Sequence, residues 1–396
     1  MRCIQRRKAH TSVEILVYHY STSPRENHVV ESALWYLNLS LMRIHQNAII
    51  TRKMRVRPGP RIPKTNNIGA PSTSSISPCP NPHDSDFFLL PTKRILLSLL
   101  GILGNIFLAS CQGPPVAVTL ATKLETRVAE LDGEVGLYVH HLQKNRSVAI
   151  NADELFPAAS MIKIPILASI LDKVERGKIG YQDKLTYTKD RRYPGEDLLG
   201  SFANNQKLTL KKLVFLMITT SDNTASLWCQ ELAGTGTTIN TWLKQKGFLH
   251  TRLNSRTPGR ADARDRYGWG QTTPREMAQL LIRIRNRKLV SPAADEEMAR
   301  IMGRSYWDGE AISSVPPSVS TMSKQGAVNA SRSEVVLVHA PHGDYVFCVI
   351  TKNQKDQSWK HGNEGFSLLR DISRILWEHF EPQQPYLPAS GNEQFR

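Results

Sequence analysis

The sequence predicts an α+β fold, with one antiparallel sheet built from N- and C-terminal strands, flanking helices and a mostly helical subdomain. Three observations carry that expectation. Apolar and polar residues alternate through Val135-Gly136-Leu137-Tyr138-Val139-His140-His141-Leu142 and again through Ser147-Val148-Ala149-Ile150-Asn151. The polar Gln143-Lys144-Asn145-Arg146 between them reads as a hairpin turn. Two more strands, at 334–339 and 345–350, stand near the other end of the chain, split by Pro341-His342-Gly343-Asp344. Helical patterns fill the middle, at 211–219, 223–233, 237–246 and 274–286.

Taken in order, residues 1–92 form an extension with no legible fold. A mixed segment reaches Ile50, a basic run spans 52–57, and a Pro/Ser/Asn-rich stretch to about Asp86 holds too little apolar area to offset its chain entropy. In 93–111, Lys93-Arg94 precedes an apolar run from Ile95 to Ala109 that closes on Leu108-Ala109-Ser110-Cys111. About fifteen apolar residues fall short of the roughly twenty a membrane span needs, and suit a secretion signal. Leu-Ala-Ser-Cys resembles a bacterial lipobox, so Cys111 is the expected lipidation site. The protein is then expected in the bacterial cell envelope, exported and membrane-tethered by that lipid, with translation starting near residue 90. Residues 112–117, containing Pro114-Pro115, are a tether. A catalytic domain is expected over 118–380, from a helix at 118–131 to an amphipathic helix at 363–380, and 381–396 form a tail.

The first chemical signal is Phe156-Pro157-Ala158-Ala159-Ser160-Met161-Ile162-Lys163, read as the start of a helix. A three-residue step places Ser160 and Lys163 on one face, a hydroxyl beside an amine. A serine hydroxyl is a weak nucleophile until a neighbour takes its proton, and an amine can do so. Helix-start N–H groups suit a developing oxyanion. Ser-x-x-Lys alone is common. Farther on, Ser221-Asp222-Asn223 joins two helical stretches, offering a second hydroxyl and an amide, though it also reads as a plain helix start. Ser323-Lys324-Gln325-Gly326-Ala327 precedes the strand beginning near Ser333, where a lysine and a small residue can meet an anionic substrate.

Charge and cysteines narrow the alternatives. The formal net charge is +16, but Lys and Arg are scattered and accompany no zinc-finger, RNA-binding or helix-turn-helix signature, so no specific nucleic acid is expected. The five cysteines and twelve histidines show no metal-ligand spacing. Cys229 and Cys348 sit among apolar residues as small buried hydrophobes, with a disulfide between them left open.

The three motifs, in this order, resemble the serine β-lactamases and penicillin-binding proteins, and class A most closely. The resemblance covers about 118–380 and implies a β-lactamase/transpeptidase-like fold. It implies that Ser160 is the acylated nucleophile, Lys163 its base, and Ser221 the proton donor to the leaving nitrogen. Asn223, Lys324, Gln325 and Gly326 would bind substrate, with Arg332 as a second carboxylate-binding cation. The backbone N–H groups of Ser160 and Ala327 would form the oxyanion hole. The implied protein is a monomer that needs no metal or cofactor. Its partner would be a β-lactam, opened in antibiotic resistance, or a peptidoglycan stem peptide; a non-turnover sensor is a third reading.

Two departures matter. Gln325 stands where the family has Thr or Ser. Counting from Arg252 toward Thr272-Thr273-Pro274, Thr257-Pro258 falls where class A has the Glu-Pro whose glutamate activates the deacylating water, and Ala261 falls at the matching Asn. Threonine is no general base at neutral pH, so acylation is expected and deacylation impaired. Asp262 or Asp265 could substitute, although 259–266 reads more simply as a solvated loop with internal ion pairs.

Overall fold

The computed structural model describes residues 119–195 and 197–392. The extension, the signal-like segment with Cys111 and the tether lie outside the described residues.

Helix α1 (Leu120–Ala129) starts where the Thr119 hydroxyl accepts the Thr122 N–H. Strands β1 (Glu134–His141) and β2 (Arg146–Ile150) form the expected hairpin. Short β3 (Phe156–Pro157) leads through a 3₁₀ turn, Ala159–Ile162, into α2 (Lys163–Glu175). The paired β4 (Lys184–Thr186) and β5 (Lys207–Thr209) precede α3 (Leu210–Thr219), α4 (Asn223–Leu232) and α5 (Thr235–Gln245). Then come β6 (Arg252–Leu253), α6 (Ala261–Tyr267), β7 (Gly270–Thr272), α7 (Pro274–Arg285) and α8 (Pro292–Met302). The chain closes with β8 (Thr321–Val328), β9 (Ser331–Val338), β10 (Tyr345–Lys352) and α9 (Glu364–Phe380).

Three expectations change. The stretch read as a solvated loop at 259–266 holds α6, and among the described residues it contains no internal ion pair; Arg260 bonds Asn254 and Gln271 instead. The third motif lies inside β8, so three strands rather than two return at the C-terminal end. Helix α8 was not expected. Cys229 and Cys348 are buried free thiols, which settles the open question of a disulfide between them.

The main sheet runs β2-β1-β10-β9-β8, antiparallel throughout, so β8 is an edge strand. Its two faces bury different cores. Leu337, Val346, Cys348 and Ile350 pack with the helical subdomain, while Val336, Val338, Phe347 and Val349 pack with Leu368, Leu369, Ile372, Leu376 and Trp377 of α9. Each such side chain, wholly removed from water, contributes roughly 1.5–3 kcal/mol. Asn363 fixes the start of α9 by accepting the N–H groups of Gly365 and Phe366.

Two charged side chains of β9, Arg332 and Glu334, interrupt the α9 face. Glu334 is wholly buried, accepting from the Ala311 N–H at 2.7 Å and from the Ser323 hydroxyl. Burial pushes its pKa up from 4.5 to about 8, against those two hydrogen bonds. The folded state therefore keeps a proton that the unfolded chain has released between these pH values, so stability falls as pH rises through that window. Glu334→Gln, whose amide can serve both partners, is expected to remove this slope. Melting temperatures at pH 6 and pH 9 check it: wild type loses more than the variant, and equal losses would contradict the buried-proton account.

Candidate active site

The turn that carries Ser160 is held from three sides. Pro157 pairs with Gln271 on β7, the Ala158 N–H donates to Gly270 O at 2.9 Å, and β8 closes on the turn itself. A Cβ on Gly326 would lie 2.9 Å from Ser160 N and 3.0 Å from the Ala159 Cβ, so only glycine admits this approach. Ala159 has φ +44°, a left-handed conformation costly for alanine, immediately before Ser160. Within the tight 3₁₀ turn, side chains three apart nearly eclipse, which stacks Lys163 over Ser160.

The second motif approaches from the end of α3. Thr219 and Thr220 turn their hydroxyls back to Phe215 O and Leu216 O, and Ser221 follows at φ +61°. Asp222, wholly buried, then accepts the Ala225 N–H to cap α4 and the Leu199 N–H to secure the neighbouring loop. Burial raises its pKa. Sequence reading took Ser221-Asp222-Asn223 as a plain helix start; the second anchor of Asp222, to the Leu199 N–H, needed the fold. Trp307, also unforeseen, donates its indole N–H to Thr220 O at 2.9 Å and braces the strained serine.

Lys163 lies wholly buried at the centre, 3.0 Å from Ser160 Oγ, 3.0 Å from Ser221 Oγ and 2.9 Å from Asn223 Oδ1, and also contacts Ser221 O. An ammonium has three hydrogens and no lone pair. Four oxygens exceed its donors. Ser221 O and Asn223 Oδ1 can only accept, whereas the serine hydroxyls can also donate. A neutral amine also has three positions, two N–H groups for the obligate acceptors and one lone pair that can take a hydroxyl proton, so in either form it serves three of the four oxygens and one hydroxyl needs another partner. On the far side, Lys324 Nζ reaches Ser221 Oγ at 3.1 Å.

Strand alternation sorts the remaining residues. Lys324 lies opposite Val335 and Gly326 opposite Ser333, on the face turned to Ser160. Gln325 lies opposite Glu334, and Ala327 opposite Arg332, both pairs on the α9 face. The Gln325 amide oxygen accepts from Lys324 Nζ. Arg332 is the residue the structure does not bring to the cluster. Its guanidinium donates to Val328 O, Asn329 O, Ser331 O and Ser358 O, and stacks between Trp359 and Phe366 at 4.4 and 4.6 Å. The correction follows from parity: an odd-to-even shift along β9 turns a side chain to the other face.

Thr257 sits farther off. Its hydroxyl donates to Ser255 O at 2.9 Å and abuts Gly236 in the first turn of α5. Ser255 is in turn bonded both ways to Gln230, two helical turns beyond Asn223 and so roughly 10 Å along α4. Asp262 and Asp265 are exposed on α6.

Fold and site together define a hydrolase of the β-lactamase and penicillin-binding fold. The chain belongs to the Beta-lactamase enzyme family, whose description matches residues 119–380. It is 23% identical over 302 residues to Beta-lactamase VEB-1 of Pseudomonas aeruginosa, covering 73% of this chain and 98% of that one. Among solved structures, the acyl-enzyme complex of a PBP-A point mutant with penicillin-G is 26% identical with TM-score 0.59, covering 66% of this chain and 96% of that chain. The β-lactamase of Sphaerobacter thermophilus DSM 20745 is 24% identical with TM-score 0.60, covering 66% and 98%.

Proposed function

We propose that the protein is a serine acyl-enzyme former that opens β-lactams slowly. The observation that carries this reading is Lys163 Nζ at 3.0 Å from the hydroxyls of both Ser160 and Ser221. Lys163 takes the Ser160 proton as Oγ attacks the lactam carbonyl. The oxyanion forms between the Ser160 and Ala327 N–H groups, and Ser221 delivers a proton to the departing nitrogen as the C–N bond breaks. Lys324, through its charge, holds the substrate carboxylate, and Asn223 the acyl-side amide. The same first step serves a D-Ala-D-Ala peptidase acting on peptidoglycan.

Release is the weak step in this reading. The Thr257 hydroxyl is committed to Ser255 O and supplies no base. Export and anchoring at Cys111 belong to the same proposal and put the site where peptidoglycan and β-lactams are met. A chromogenic cephalosporin tests it: the expected result is a stoichiometric burst with a persistent covalent mass on Ser160. Fast, sustained turnover would overturn slow release, and the absence of any adduct would overturn the nucleophile.

A further inference from the structure

The chain enters the fold at an end of the sheet that the mechanism above does not use. Helix α1 lies antiparallel to α9: Arg127 pairs with Asp371 at 2.9 Å, and Lys123, one turn earlier, lies near His379 in the last turn of α9. Thr119, the cap of α1, therefore stands at the end where α9 stops. Two hairpin turns meet there. The Leu142 N–H donates to Asp344 O at 2.9 Å, and a Cβ on Gly343 would touch the Gln143 side chain, so the β1–β2 and β9–β10 turns sit side by side. Phe380 closes the group, edge-on to His141 at 4.9 Å and under the Lys144 ammonium at 6.0 Å.

Positive charge is in excess at this end. The acids nearest the turns are engaged, Asp344 by Arg285 and His339, wholly buried Glu381 by His342, and Glu378 by Arg374. Lys123, Lys144 and Arg146 are exposed and take part in none of these pairs. Their field reaches into the cluster: burial holds the His379 imidazole below its ordinary pKa, and Lys123 and Lys144 depress it further. Burial and then Lys144 do the same to His141. Like charges gathered this closely repel one another and gain nothing within the fold, so they suit an anion outside it.

Only residues 112–118 separate Cys111 from Thr119, a stretch that reaches at most about 28 Å fully extended. A lipid on Cys111 thus keeps this end within that distance of the bilayer. The catalytic cleft lies farther off: Thr321 of β8 pairs with Val338 here, and Gly326, which packs on Ser160, follows roughly 17 Å along the strand.

We propose that this end is a docking face for a bilayer surface of anionic lipid headgroups, with Lys123, Lys144 and Arg146 meeting the phosphates and the catalytic cleft left open. The inference rests on the export and anchoring at Cys111 put forward above, and goes beyond it in fixing which way the domain faces.

Hydrogen exchange of the full-length protein on vesicles tests it, read in peptides covering 142–146 and 339–344. The readout is local, so it holds however residues 1–118 meet the lipid. On phosphatidylcholine vesicles with about one-third phosphatidylglycerol, exchange in both turns is expected to slow about fivefold or more relative to pure phosphatidylcholine, the factor one basic residue contributes near such a surface. Combining Lys123→Gln, Lys144→Gln and Arg146→Gln, or adding about 1 M salt to shorten the Debye length to ~3 Å, should return exchange to the phosphatidylcholine rate. A control triple with the same charge change, Lys178→Gln, Lys184→Gln and Lys207→Gln, should keep the protection, and both triples should acylate Ser160 as wild type does. Equal exchange on the two lipids, or equal loss in the two triples, overturns the docking face. Protection by soluble polyphosphate, or by raising the protein concentration without lipid, assigns the face to a free polyanion or a second copy and overturns it as well. The anchor is judged separately: native protein whose Cys111 carries no lipid overturns anchoring, whereas protection that survives Cys111→Ala upholds the docking face without it.

Discussion

Lys163→Met is expected to slow acylation of Ser160 by about a thousandfold, the scale on which a positioned general base acts. Methionine matches the lysine stem, so the buried space between Ser160 and Asn223 stays filled and only the amine is lost. Lys324 cannot replace it, because it contacts Ser221 Oγ rather than Ser160 Oγ. Time-resolved mass spectrometry of the covalent adduct measures the effect, and a melting curve confirms the fold. A rate within a few-fold of wild type would move the base elsewhere, most simply to a relay from Ser221.

Gly326→Val should cost acylation about a hundredfold or more, the loss that follows from displacing an oxyanion-hole donor. The new Cβ would stand 2.9 Å from Ser160 N and 2.8 Å from Ser333 Oγ. The first neighbour is backbone and cannot swing away, so β8 must retreat from the nucleophile and take the Ala327 N–H with it. Gly326 is therefore required for space rather than for an unusual φ. Burst kinetics with a chromogenic cephalosporin, read alongside the melting temperature, check this. A variant that acylates normally would exclude the β8 edge from the oxyanion hole.

Much of this architecture was legible in the chain. The hairpin and the helices at 211–219, 223–233 and 274–286 announce themselves through apolar period, and Thr273-Pro274 marks a helix start directly. The juxtaposition of Ser160 and Lys163 was readable because a fixed short spacing puts them together regardless of the rest of the fold. What failed has physical causes. Ser323-Lys324-Gln325-Gly326 hides a strand because its inward face buries an ammonium rather than an apolar side chain. Arg332 was misjudged because proximity in sequence to the third motif says nothing about which face of β9 it occupies. Helix α6 was missed because its buried side is slight, leaving no periodic stripe to read. Helix α8 did carry a signal, Ser291 as cap with Pro292 at the first position.

The pairing of β1 with β10 sets a clock on the assembly of the site. Glu134 lies opposite Lys352 and His141 opposite Tyr345, partners about two hundred residues apart along the chain. Contacts this distant form late, because a long loop must close before they stabilise anything. Ser160 and Lys163 precede these strands in the chain, and β8 gains its place only once β9 and β10 have joined the sheet. A chain truncated before β9 and β10 thus carries Ser160 without the β8 edge that packs on its turn.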